Sequence, residues 1–237
     1  MKQKWALQVK EWEEGLRYSD PEKIEVKKLL TSVDFKNKKV LDVGCGIARL
    51  TLPISKMAKE VVAIDQDKKI IDYCKKNKKR TNITYLVKDI KKFKEHNFDI
   101  VVFAQPDYDN FKEKLKVIAS LLNSKGQLII IRWIDKGNQY NRLLGYFWNN
   151  NKKLSEDAKV FSKDFIKNLS KLFKIKQTSL IETYDSYPSK EKLAENIIRD
   201  SPIKFNKKEI AKLHNLLPPY NYKKVNIKMK MYICELK

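Results

Sequence analysis

Val40-Leu41-Asp42-Val43-Gly44-Cys45-Gly46-Ile47-Ala48 is the stretch on which the fold turns. Apolar residues running straight into two glycines give the pattern of a short buried strand that ends in a turn. Glycine lets a backbone approach a ligand closely, and the helical pattern that follows, Leu50 to Met57, would present its N-terminus there. A dinucleotide-binding turn needs a third glycine at GxGxxG spacing. Counted from Gly44 and Gly46 that position is Arg49, too bulky for the close helix–strand packing the third glycine permits. Asp42 points the same way, because a carboxylate beside the turn repels a pyrophosphate and suits a ligand with an ammonium group.

On the C-terminal side, apolar strands alternate with helical stretches. Val61 to Ile64 is a second strand ending at Asp65, followed by a helix from Lys68 to Asn77. Ile83 to Val87 is a third ending at Asp89, and Phe98 to Ala104 a fourth. A helix over Phe111 to Leu122 and a turn at Lys125-Gly126 lead to a fifth strand, Gln127 to Trp133. Such alternation signals βαβ units and a parallel sheet buried on both faces. Phe161 to Phe173 then reads as a helix and Ile175 to Thr183 as a sixth strand. Ser189 to Arg199 and Asn206 to Leu217 read as helices, and Val225 to Leu236 alternates as a last strand. On the N-terminal side, Trp5, Val9, Trp12 and Leu16 form one helical stripe. Asp20-Pro21-Glu22 reads as an N-cap with Pro at the first position of a helix through about Leu30.

Composition narrows the function classes. With 42% hydrophobic and 34% charged residues, the chain is in the globular range. Its longest apolar runs are too short to cross a bilayer, and Met1-Lys2-Gln3-Lys4-Trp5 lacks a secretory h-region, so a cytoplasmic protein without membrane partners is expected. Cys45, Cys74 and Cys234 form no CxxC pair or Cys/His cluster, so neither a metal nor a disulfide framework is expected. His96 and His214 lie in charged, Lys-rich surroundings and are not read as general bases; no catalytic residue is assigned. The net charge of +22 makes a nucleic-acid partner possible, but 45 of the 51 basic residues are Lys, which accumulates on any solvated surface.

The segment around Gly44 resembles the first motif of class I S-adenosylmethionine-dependent methyltransferases, an acidic residue followed by GxGxG, with Ala48 in place of the last glycine. Asp65, 21 residues after Gly44, stands where a carboxylate can accept both ribose hydroxyls. Asp89 resembles the family's acidic residue that receives the adenine amino group, with Ile90 beside it. The segments Phe98 to Val102 and Lys125 to Ile130 are similar to its fourth and fifth strands. The resemblance, covering about Val40 to Trp133, implies S-adenosylmethionine as cofactor and S-adenosylhomocysteine as product. The implied cofactor residues are Asp42, Gly44, Cys45 and Gly46 in the first turn, Asp65 and Gln66 in the second, then Asp89, Ile90 and Ala104.

It also implies a Rossmann-like α/β three-layer sandwich, whose seven-stranded, mostly parallel sheet has an antiparallel last strand. Expected is one domain over 1–237: an N-terminal helical segment (1–36) that acts as a lid, a cofactor-binding core (37–133), and a substrate-side half (134–237). The last carries a helical insertion at about 184–224 that caps the substrate site. Ala104-Gln105-Pro106-Asp107-Tyr108 should face the transferred methyl and loosely resembles the Asn/Asp-Pro-Pro-Tyr motif of amino-group methyltransferases. Gln105, Asp107, Tyr108, Tyr18 and Trp133 are the substrate candidates. Further aromatic residues, Tyr140, Tyr146, Phe147 and Trp148, follow Trp133. The aromatic-rich termini and the lack of an added RNA-binding module favour in-line methyl transfer to a small-molecule acceptor. An RNA methyltransferase, and a cofactor-binding protein without turnover, are the alternatives.

Overall fold

The computed structural model describes residues 9–106, 109–134, 138–139, 164–200, 205–217 and 221–237. In chain order the elements are α1 (Val9–Tyr18), α2 (Ile24–Ser32), β1 (Lys39–Val43), α3 (Thr51–Ser55), β2 (Glu60–Asp65) and α4 (Lys68–Asn77). Next come β3 (Ile83–Val87), a 3-10 turn (Ile90–Lys92), β4 (Phe98–Ala104), α5 (Phe111–Leu121) and β5 (Leu122–Trp133). They are followed by α6 (residues 164–172), β6 (Phe173–Asp185), α7 (Lys190–Asp200), α8 (Lys207–Leu216) and β7 (Val225–Leu236).

β1 is buried from Val40 to Val43, and so lacks the polar alternation of a one-sided strand. It pairs in parallel with β2 on one side and β4 on the other. The sheet order is β3-β2-β1-β4-β5-β7-β6, and the last strand is antiparallel to the other six. The chain leaves β1 in one direction through β2 and β3 and resumes on its other side with β4. That makes the carboxyl ends of β1 and β4 a topological switch point, where open α/β sheets bind ligands. The registers Val43↔Ile64, Asp65↔Val87 and Ala104↔Ile131 bring the turns after these strands to one end of the sheet.

The chain divides into two compact units. One contains residues 26–132, 160–180 and 230–237; the other contains 1–25, 133–159 and 181–229. The first, here the sheet unit, holds a core in which Phe111, Leu115, Ile118 and Leu121 form one stripe of α5 against Phe98, Val101, Phe165 and Tyr232. Each such buried side chain contributes about 2 kcal/mol. In the second, here the flanking unit, the backbone N–H of Asp20 donates to Asp185 and that of Ser186 donates to the Tyr18 carbonyl, while Ser19 bridges Asp185. The Thr183 hydroxyl donates to Asp20, and Lys192 pairs with Glu14 at 2.7 Å. The end of α1 and the turn after it are thereby tied to the end of β6 and to α7, and α7 and α8 supply the expected helices between β6 and β7.

Three local readings are corrected. Pro21 lies in a turn, not at a helix start, and α2 begins at Ile24. Asp20, held at φ 45°, caps α2 from four residues upstream, its two carboxylate oxygens accepting the N–H groups of Ile24 and Glu25 at 2.8 Å. The expected turn at Lys125-Gly126 is a bulge within β5, where pairing steps from Phe98↔Leu122 to Ile100↔Gln127. Gly126 is required there: a Cβ would sit 2.8 Å from Leu122 Cδ2 and 3.0 Å from the Asn123 carbonyl. The helix after the first glycine turn is short and starts at Thr51, so no helix N-terminus opens at Gly44. Among the described residues no helix is long and apolar enough to cross a membrane, and no cluster of His, Cys, Asp or Glu could hold a metal.

Candidate cofactor and acceptor site

The turn after β1 is built around its amides. Gly44 and Cys45 both donate their N–H to the Ile64 carbonyl, at 2.8 and 3.0 Å, and Gly46 donates to Asp65 Oδ2 at 3.2 Å. All three N–H groups are thus committed to β2, and none is left to cradle a phosphate, as a dinucleotide turn requires. What the turn offers is space. Gly44 is exposed at φ 69°, and a Cβ built on it would have no heavy atom within 4 Å. Gly46 follows at φ 50° and Ala48 at φ 67°. The last glycine of the motif is therefore absent at a position whose backbone is left-handed, a conformation that costs an alanine about 1 kcal/mol.

Asp42 is 2% exposed and accepts the Thr51 hydroxyl at 2.6 Å. Burial raises its carboxyl from 3.8 to about 6, against the opposing pull of Thr51 and Arg49 and with a further push from Asp65. Asp65 stands half-buried at the end of β2 and accepts one backbone N–H on each oxygen, from Gly46 and from Asp67 at 2.9 Å. A carboxylate oxygen accepts more than one hydrogen bond, so Asp65 can also take a pair of vicinal hydroxyls. Burial raises its pKa as well, opposed by the two N–H donors. Asp89 caps the 3-10 turn through the Lys91 N–H at 2.9 Å, and Ile90 beside it is buried, while Gln66 is exposed and Ala104 half-buried.

Cys45 turns inward, its thiol on the Gly46 carbonyl at 3.5 Å, where Cys74 of α4 also donates at 3.4 Å. Burial pushes Cys45 well up and Cys74 to about 12, so both are thiols that brace the turn rather than nucleophiles. Thr51, Asp67 and Cys74 were missed by the sequence reading. Only Asp67 had left a signal, as an Asp directly before the α4 pattern; its side chain accepts the Lys69 N–H at 2.8 Å.

All nine cofactor candidates fall in the sheet unit, at the carboxyl ends of β1 to β4. Of the three described substrate candidates, Gln105 is the one in the same unit, directly after β4. It is exposed at φ 51°, with its N–H on the Ile131 carbonyl at 2.7 Å. Tyr18 and Trp133 belong to the flanking unit. There the Tyr18 hydroxyl meets Glu14 at 3.4 Å and its ring lies 5.5 Å from that of Tyr187. Asp107 and Tyr108, and with them Trp5, Tyr140, Tyr146, Phe147 and Trp148, lie outside the described residues.

This sheet order, with a glycine turn after β1 and a carboxylate at the end of β2, is that of the class I S-adenosylmethionine-dependent methyltransferases. The fold agrees with solved structures. A Bacillus halodurans protein provisionally assigned as a methyltransferase aligns with a TM-score of 0.63 at 15% identity, over 90% of this chain and 98% of that one. The N-methyltransferase NodS of Bradyrhizobium japonicum, solved with S-adenosyl-L-homocysteine, aligns at 0.54 and 14% identity, over 96% and 97%. Residues 21–148 match the family model for ribosomal RNA adenine dimethylase, and the chain belongs to that family. The ribosomal RNA small subunit methyltransferase A of Wigglesworthia glossinidia brevipalpis is 26% identical over 121 residues, 50% of this chain and 42% of that protein. The match thus spans less than half of that curated relative.

Proposed function

We propose that this protein transfers methyl groups from S-adenosylmethionine to adenine in ribosomal RNA. The family match over residues 21–148 carries this reading and favours RNA over the small-molecule acceptor suggested by the aromatic termini. The site supports it from the cofactor side. Asp42 and the open space at Gly44 would receive the ammonium-bearing end of the cofactor. Asp65 would hold the ribose, and Asp89 with Ile90 the adenine.

On the acceptor side the supporting residue is Gln105. A non-glycine residue kept at φ 51° beside the end of β4 is a strained backbone position, and such positions cluster where a side chain must be aimed. A carboxamide matches adenine by accepting from the exocyclic amino group and donating to a ring nitrogen. The bound sulfonium supplies an already activated methyl. What remains for the chain is orientation, worth about several kcal/mol as effective molarity; as the N–C bond forms and the S–C bond breaks, the proton shed by the methylated nitrogen would pass to solvent. A neutral amino nucleophile needs no strong base, in keeping with a site whose histidines lie elsewhere.

The experiment is incubation of the protein with methyl-labelled cofactor and ribosomal RNA, followed by nucleoside analysis. Label in methylated adenosine is expected. Label only in small molecules of an added extract would overturn the RNA reading. Cofactor binding without transfer to either would establish a non-catalytic binding protein.

A further inference from the structure

Lysine runs that read as separate solvated faces in the sequence converge on one edge of the sheet. β3 is an edge strand, α4 leads into it and the 3-10 turn follows it. Residues 66–94 carry eleven basic side chains against Asp67, Asp72 and Asp89, a net +8 out of the chain's +22 on about an eighth of its length. The opposite edge, β6 with α6 leading into it (residues 164–185), sets Lys167, Lys171, Lys174 and Lys176 against Asp164, Glu182 and Asp185, a net +1. A uniform compositional bias toward lysine would not produce that contrast.

The acidic groups of the basic edge are already occupied. Asp67 and Asp89 accept backbone N–H groups, and Asp72 pairs with Lys68. Among the described residues Lys69, Lys75, Lys76, Lys88, Lys91 and Lys92 are exposed and have no carboxylate partner. We infer that this edge is a docking surface for the phosphate backbone of the RNA whose base enters the site; the inference rests on the RNA reading above. The patch starts beside the candidate cofactor residues, with Lys68 and Lys69 just past Asp65 and Lys88 just before Asp89. It continues along α4, whose ten residues rise about 15 Å, enough to lie beside several consecutive phosphates. Flexible ammonium groups suit such contacts, which position a nucleic acid without reading its sequence. Val87 is the exposed large apolar side chain here, so little is offered for insertion into a bilayer interface.

The test compares the full chain with a Lys75→Gln/Lys76→Gln/Lys91→Gln/Lys92→Gln variant and a Lys174→Gln/Lys176→Gln control. Binding to a single-stranded, adenine-containing RNA is measured by fluorescence anisotropy from 50 to 200 mM salt, and cofactor affinity reports folding. The quadruple variant should lose at least tenfold in RNA affinity, its log–log salt slope shrinking by about 2.8, at about 0.7 per lysine. The control and all cofactor affinities should stay unchanged. A quadruple variant that binds RNA with the unmodified chain's slope would overturn this surface while leaving the RNA reading intact. An unmodified chain that binds no RNA would remove both. Tighter binding to phosphatidylserine vesicles than to RNA, lost in the quadruple variant, would overturn RNA as the partner.

Discussion

Asp20 and Asp185 in the flanking unit, and Asp42 and Asp65 in the sheet unit, are the same side chain put to opposite uses. Asp20 accepts two helix N–H groups and the Thr183 hydroxyl; Asp185 accepts the Asp20 N–H and the Tyr187 hydroxyl at 3.1 Å. These carboxylates are matched by donors within the fold and hold α1, α2 and β6 together. Asp42 has a single hydroxyl donor in an apolar strand, and Asp65 two amides; for both, burial outweighs the donors and raises the pKa. A carboxylate that the fold under-compensates is one that a bound cation or a pair of hydroxyls can still stabilise.

The sharpest way to break this comparison is to exchange the two outcomes. Asp65→Ala should lower cofactor affinity by about 100-fold, about 3 kcal/mol for two charge-assisted hydrogen bonds, with little change in unfolding free energy. Asp20→Ala should do the reverse, lowering stability by about 2 kcal/mol through the lost cap and leaving cofactor affinity within about twofold. Calorimetric titration and urea unfolding of both variants decide the matter. Equal effects of the two substitutions on either quantity would erase the distinction.

A smaller effect separates Asp42 from the rest. Its folded-state pKa of about 6 lies above 3.8, so the ligand-free protein holds this proton more tightly than the unfolded chain does. The resulting stability contribution is fully present below 3.8 and is lost as pH rises to about 6. Cofactor affinity should run the other way, rising about tenfold between pH 5 and 7 as Asp42 ionises opposite an ammonium that stays protonated throughout. Asp42→Asn should flatten that profile. An unchanged profile would transfer the dependence to Asp65, whose carboxyl is raised by the same cause.

The smallest effect concerns the backbone. Asp20 at φ 45° offsets its left-handed conformation with side-chain hydrogen bonds, whereas Ala48 at φ 67° has nothing with which to do so. Ala48→Gly should therefore stabilise the protein by about 1 kcal/mol, about 2–4 °C in a thermal melt. A lower melting temperature would mean that the added freedom of glycine in the unfolded chain outweighs the relief of strain.

The cofactor end of the site was legible because its determinants are local. Strand, turn and carboxylate follow one another within Val40 to Ala48, and again at Asp65 and Asp89, and parallel register gathers strand ends without further instruction. The Lys125-Gly126 turn and the Pro21 helix start misled because each is decided by a partner distant in space or reached by a side chain. β4 turns the first into a bulge, and the Asp20 carboxylate moves the second to Ile24. Thr51, nine residues from Asp42, and Cys74, 28 from Gly46, left no periodic trace because they meet their partners only through folding.

By itself, then, the sequence determined the alternating α/β order, the departure from a dinucleotide turn at Arg49, and the carboxylates at three strand ends, all written in neighbouring residues and their spacing. Only the tertiary structure decided that the turn amides face β2, that Ala48 occupies a glycine conformation, and that the lysine-rich stretch 66–94 lies at an edge of the sheet. Those outcomes depend on which strands become neighbours, and strand neighbours are fixed by burial and hydrogen bonding across the whole sheet rather than by adjacency along the chain.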